Sequence, residues 1–180
     1  MNYFSEIIGT FLLLLPAGAA NMAPVFVGHV NFLNYPADGG KSFMGKRIFG
    51  DHKTVRGFFF GTIAAIAVVY IEQVFARQIS SYSLVDYASV NFVLFGFLLG
   101  FGALLGDCVK SFFKRQMNIA PGKSWWVFDQ TDWIIGAFVL LSVYRVFNFE
   151  IYITGLIIFS LLHPLINLLG YFLGIKKEKF

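Results

Sequence analysis

The chain has 180 residues, 57% of them hydrophobic and 13% charged, with a mean hydropathy of +0.69 and a formal net charge of +4. That is too apolar for an ordinary soluble domain and predicts one all-α integral membrane domain, with no length left for a separate soluble module. At about 20 residues per span it accommodates five membrane helices, and a single cysteine, Cys108, excludes an internal disulfide framework.

The N-terminal stretch carries Glu6 and no Lys or Arg, so it lacks the basic start of a signal peptide and is expected to be retained. The first apolar run covers residues 7–33 and contains Pro16, Pro24 and, between them, Asn21. Proline removes a helical hydrogen bond and clashes with the preceding turn, so a kink or break is expected. Two readings fit this span: a cavity wall with Asn21 facing inward, or a bent packing helix. Residues 34–56 then form a loop with Gly39, Gly40, Gly45 and Gly50, in which Lys41, Lys46, Arg47, Lys53 and Arg56 face only Asp38 and Asp51. Glycines let backbone amides approach an anion that the cations neutralise. A basic loop resting on anionic lipid headgroups would have the same composition. Neither G-x-G-x-x-G nor G-x-x-x-x-G-K-[ST] occurs, so no Rossmann or P-loop site is implied, and no nucleic-acid partner is expected.

A second span is predicted at 57–76 and a third at 89–106, separated by a polar segment with Ser80, Ser81, Ser83 and Asp86. The next loop, 107–130, begins with Asp107, Lys110, Ser111 and Lys114. If helix persists past Gly106, the i, i+3, i+4, i+7 spacing puts all four on one face. Pro121, Gly122, Trp125 and Trp126 read as a loop with interfacial aromatics. Asp129 and Asp132, also i, i+3, open the fourth span (131–147). The fifth, 150–174, contains His163-Pro164, read as a local kink, and a basic tail follows.

Charge asymmetry sets the expected topology. Loop 34–57, loop 106–131 and the C-terminal tail hold five, four and three of the 14 Lys and Arg residues, leaving Arg77 and Arg145 for the other side. This predicts a multi-pass protein of the cell membrane with its N-terminus outside and both charged loops and the C-terminus cytoplasmic.

A charge costs roughly 2.5–3.5 kcal/mol at a membrane helix centre, so the charged stretch must sit at the water interface or line a polar cavity. Mg²⁺ prefers oxygen ligands and shares its coordination with substrate phosphates, a role open to Asp107, Asp129 and Asp132. The alternative is that they pair with Lys110, Lys114 and Arg115. A triphosphate would use a metal, several cations and backbone donors together, which also accounts for the glycine- and lysine-rich loop. No His–Asp relay serves Ser111 or Ser124, and His29, His52 and His163 are scattered. Nucleotidyl transfer to a phosphomonoester needs no such relay, because the attacking oxygen is already anionic and alignment with charge neutralisation suffices.

The segments GDCVKSFFKR, FDQTDW and IIGA together resemble the signature of the CDP-archaeol synthase family, relatives of phosphatidate cytidylyltransferase. AANMAPV and GKRIFGDHKTVRGF are similar to that family's N-terminal helix and first cytoplasmic loop, so the resemblance spans nearly the whole chain. It implies a five-span membrane enzyme that uses CTP and Mg²⁺ to convert the digeranylgeranyl ether of glycerol 1-phosphate to its CDP derivative, releasing pyrophosphate, in phospholipid biosynthesis. By position, it implies metal binding at Asp107, Asp129 and Asp132 and catalytic phosphate contacts at Lys110, Ser111 and Lys114. It also implies nucleotide-phosphate binding at Lys46, Arg47, Asp51, Lys53, Arg56 and Arg115. Gln116 and Asn118 stand where the family pattern holds an arginine and a glycine. The alternative readings are a cytidylyltransferase for phosphatidic acid or another lipid phosphate, and a CTP-dependent lipid kinase.

Overall fold

Three of the helices begin where a short polar side chain covers the free amides of the first turn. In the computed structural model, which describes residues 2–120, 123 and 125–172, Asn2 accepts from the Ser5 amide at 2.8 Å, Thr54 from Gly57 at 3.2 Å and Asn91 from Leu94 at 3.0 Å. These caps open α1 (Tyr3–Phe26), α2 (Val55–Val74) and, after the single turn of α3 (Ala76–Ile79), α4 (Phe92–Gln116). Helices α5 (Trp126–Leu141) and α6 (Phe149–Phe172) follow, and a hairpin of β1 (Ser42–Phe43) and β2 (Lys46–Arg47) lies between α1 and α2. Helices α1, α2 and α4 are each long and apolar enough to cross a membrane, and Phe149–Leu162 of α6 is a shorter apolar stretch. The all-helical membrane class expected from composition holds.

Several element limits differ from the sequence reading. The break expected at the prolines of the first span does not occur: α1 continues through Pro16 and Pro24 and stops at Phe26, short of residue 33. Its inner face is fully buried at Leu13, Leu14, Ala17 and Ala20, and that packing offsets the hydrogen bonds the prolines remove. Helix α4 runs ten residues past Gly106, so 107–116 is helix rather than loop. It ends in a Schellman arrangement: Asn118 takes a left-handed φ of 60°, its amide donates to the Arg115 carbonyl at 3.2 Å, and the Ile119 amide donates to Lys114 at 2.9 Å. Helix α5 starts five residues before the expected residue 131, because the Asp129 carboxylate accepts from the Trp125 amide and so favours the helix N-terminus there. Helix α6 continues through Pro164. The Pro121-Gly122 turn, Ser124, the end of the fifth expected span beyond residue 172 and the basic tail lie outside the described residues.

The middle of the bundle is α4, which packs against α1, α2 and α5. Glycines make this possible. On α4, Gly96 and Gly100 face Ile66 and Ala65 of α2, whereas Gly102 and Gly106 face α5 at Gly136 and Asp132. A Cβ on Gly102 would lie 2.7 Å from the Gly136 carbonyl oxygen, and one on Gly106 would overlap the Asp132 backbone. The two glycines form a G-x-x-x-G pair, which lets membrane helices touch backbone to backbone. This close approach brings Asp107, one residue past Gly106, beside Asp132.

Candidate active site

Three lysines and three aspartates from α2's leading loop, α4 and α5 meet at one end of the bundle. Lys110 is the hub: its Nζ lies 3.1 Å from Asp107 Oδ1, 3.1 Å from Asp129 Oδ1 and 2.8 Å from Asp132 Oδ2. Lys53, just ahead of α2, pairs with Asp107 Oδ2. Lys114 pairs with Asp129 Oδ1 at 2.8 Å and donates to the Lys123 carbonyl at 2.8 Å. All six side chains are at most about a quarter exposed. Grouping of this kind is what a low-dielectric setting requires, since an unpaired charge there is strongly disfavoured. The helical spacing expected for α4 is observed, with Ser111 buried on the same face and its hydroxyl bonded to the Asp107 carbonyl at 2.9 Å.

Asp132 differs from its neighbours. It is an ion-pair partner of Lys110 by distance, yet neither of its buried carboxylate oxygens accepts a well-aligned hydrogen bond. Oxygen donors with free lone pairs are what Mg²⁺ takes, so the donor chemistry of Asp107, Asp129 and Asp132 fits that ion. Among the described residues no three His, Cys, Asp or Glu side chains converge as a ready metal site. The three aspartates converge on an ammonium instead, and Lys110 supplies the positive charge at their centre.

The roof is the loop between α1 and α2. Asp38 organises it from a fully buried position, accepting from the amides of Gly40 (2.9 Å), Phe49 (2.9 Å) and Gly50 (3.1 Å) and from Arg47 Nη2 (2.9 Å). Burial works against its charge, but the Phe49 amide, the Arg47 guanidinium and the Gly50 and Gly40 amides outweigh it and hold the carboxyl down at about 2. Arg47 also pairs with Asp51 at 2.6 Å, and Lys46 donates to the Gln116 carbonyl at the end of α4. Composition shows Asp38 only as one of two acids in a basic loop. The Asp-Gly-Gly run that it begins is an Asx-turn signal, and that signal marks the residue.

Asp38→Asn is therefore expected to destabilise the protein near neutral pH by about 2 kcal/mol, the free energy that corresponds to a carboxyl held so far below its usual range. A carboxyl depressed from 3.8 to about 2 stabilises the fold fully above pH 3.8, and the effect is lost as pH falls through about 2. Unfolding free energies of wild type and variant should thus converge between about pH 4 and 2. A gap that persists to the acid end of that window would mean that shape, not charge, makes Asp38 useful.

Between roof and floor lie two cavities that share Gly50, Asp51, His52 and Arg115. The inner one, about 130 Å³, is lined by Lys53, Asp107, Lys110, Ser111 and Lys114. The outer one, about 370 Å³, adds Lys46, Arg47, Asn118 and Ile119. Buried Nε atoms of Arg47 and Arg115 have no hydrogen-bond acceptor there, so the lining offers spare donors to an anion. Three of the residues singled out in the sequence line neither cavity. Asp129 and Asp132 stand behind Lys110 and reach the inner cavity through it. Arg56 is buried, and its guanidinium donates to the Val30 carbonyl beyond α1. His52, one of three histidines scattered in sequence, lines both cavities. The arrangement can neutralise a polyphosphate and hold it beside the aspartate cluster.

The family model described as CarS-like, CDP-archaeol synthase, matches residues 4–180. A CDP-archaeol synthase of Methanosarcina acetivorans is 38% identical over 181 residues, covering 92% of this chain and 99% of its own length. One from Methanoculleus marisnigri is 34% identical over 171 residues, with 91% and 98% covered. A solved intramembrane enzyme for archaeal membrane lipids biosynthesis superposes with a TM-score of 0.70 at 27% identity, over 90% of this chain and 94% of its own.

Proposed function

The chain belongs to the CDP-archaeol synthase family, and on that premise we propose that it transfers the cytidylyl group of CTP to the phosphate of an isoprenoid glycerol ether lipid in the membrane. A non-bridging oxygen of the lipid phosphate attacks the α-phosphorus of CTP. The new P–O–P linkage forms as the bond to the α–β bridging oxygen breaks, and pyrophosphate leaves with that electron pair. No proton need be removed, which agrees with a cleft whose floor is built of lysines and aspartates. The observation that carries the reading is the Lys110-centred cluster opening into a cation-lined cavity.

Lys53, Lys110, Lys114 and Arg115 neutralise and align the phosphates, and the Ser111 hydroxyl adds a neutral donor. Lys46, Arg47, Asp51 and His52 border the outer cavity, where the rest of the nucleotide fits. Asp107, Asp129 and Asp132 are the residues that would hold Mg²⁺. Bound there, the ion would supply charge stabilisation to the α-phosphate and the departing pyrophosphate. The site belongs on the cytoplasmic side of the cell membrane, the side that carries the basic segments.

The test uses protein purified in lipid, Mg²⁺ and CTP labelled separately at the α and γ positions, with the ether lipid phosphate and phosphatidic acid offered in parallel. Label from the α position should appear in lipid, with pyrophosphate released and the ether acceptor preferred. Label from the γ position would make the protein a lipid kinase. Preference for phosphatidic acid would change the substrate but keep the chemistry, and no transfer to either lipid would overturn the reading.

A further inference from the structure

The hairpin in the roof has an unusual tip. Its two turn residues, Met44 (φ 50°) and Gly45 (φ 78°), are both left-handed, as a two-residue type I′ turn requires. The first such position usually holds Asn, Asp or Gly. Here it holds an apolar methionine that is 83% exposed, beside a Phe43 that is 50% exposed and a solvent-facing Lys41. Phe43 leans on Phe112 of α4 with ring centres 5.8 Å apart.

The adjoining surface of α4 is apolar too. Leu105, Val109, Phe113 and Met117 follow one another at four-residue steps and are 39%, 55%, 50% and 58% exposed. Leu105 and Val109 lie on the helix face opposite Asp107, Lys110 and Lys114, and Phe113 lies on its flank. In a helix long enough to cross the bilayer, such a continuous outward apolar strip faces lipid. It reaches the level of the charged cluster and meets the hairpin there. A protruding apolar tip with a lysine beside it, at the end of a lipid-facing strip, has the composition of an interfacial anchor.

We propose that the Phe43–Met44 tip is seated in the headgroup–acyl boundary of the bilayer. The hairpin is then held by lipid at its tip and by α4 at its base. Lys46 and Arg47, the residues that line the outer cavity, are on the strand that leaves the tip. Membrane contact and cavity wall are thus one short unit. This inference rests on the membrane location and is independent of the reaction catalysed.

To test it, a cysteine at Met44 in a Cys108→Ala background would carry an environment-sensitive fluorophore, with the protein in nanodiscs. A label at Asp51, an exposed position of the same loop, serves as reference. Lipid nitroxides placed just below the headgroup should quench the label at 44 several-fold more than that at 51, and aqueous iodide should do the reverse. Equal iodide quenching at both positions would overturn the proposal. So would a label at 44 shielded from both quenchers, which would assign the tip to a protein partner such as a second copy.

Discussion

Asp132→Asn is expected to lower turnover by roughly a hundred- to a thousandfold, the effect of removing one preorganised electrostatic group from a site, while leaving thermal stability equal or higher. Asp129 is tied to Lys114 and the Trp125 amide, and Asp107 to Lys53. Among the described residues Asp132 pairs with Lys110, and its buried oxygens accept no well-aligned hydrogen bond. A carboxylate held by one ion pair and no aligned hydrogen bond does less for the fold than its two neighbours, so its charge is better explained by what it binds during catalysis. The amide keeps the shape and removes the charge. Turnover within a few-fold of wild type, measured with the α-labelled nucleotide, would take Asp132 out of the reaction. A large fall in the thermal midpoint would instead make it structural.

Lys110→Met should act on the fold as well as on the reaction. It removes the cation shared by three carboxylates and strips Asp132 of its ion-pair partner. Breaking a buried pair from one side costs about 3–5 kcal/mol, because the remaining charge stays buried without compensation. The expected result is a protein with a sharply lower thermal midpoint, or one recovered only in poor yield, and no detectable transfer. The cluster holds three positive and three negative side chains, so the double variant Lys110→Met/Asp132→Asn restores the balance. It should recover much of the lost stability and none of the activity. Single and double variants of equal stability would show that the charges are solvated and do not depend on one another.

Local periodicity accounts for much that is legible in the residues. Hydropathy alone shows that the chain is a helical membrane protein, because an apolar run must bury its backbone polar groups in helix to lie in lipid. The spacing of Asp107, Lys110, Ser111 and Lys114 assigns them to one helix face, and the motifs around them point to the family. Residues 107–116 read as loop because charge resembles a loop signal, and the structure makes them helix. In a long helix one face can carry charge while Leu105 and Val109 on the opposite face stay apolar and exposed.

Membrane class, helix faces and most of the charged residues that meet at the candidate site were thus present in the order of the amino acids. Partnership was not. That Lys110 stands between three aspartates, that Arg56 turns away to Val30, and that Asp38 ties Gly40, Phe49 and Gly50 together came from the folded chain alone. Contacts around the site join residues as far apart as Lys46 and Gln116, or Lys53 and Asp107. The Lys110 cluster depends on how closely α4 and α5 approach, which Gly106 and Gly136 permit by carrying no side chain. A helix face is set by neighbours three and four residues away, whereas the meeting of two faces is set by packing across the whole bundle.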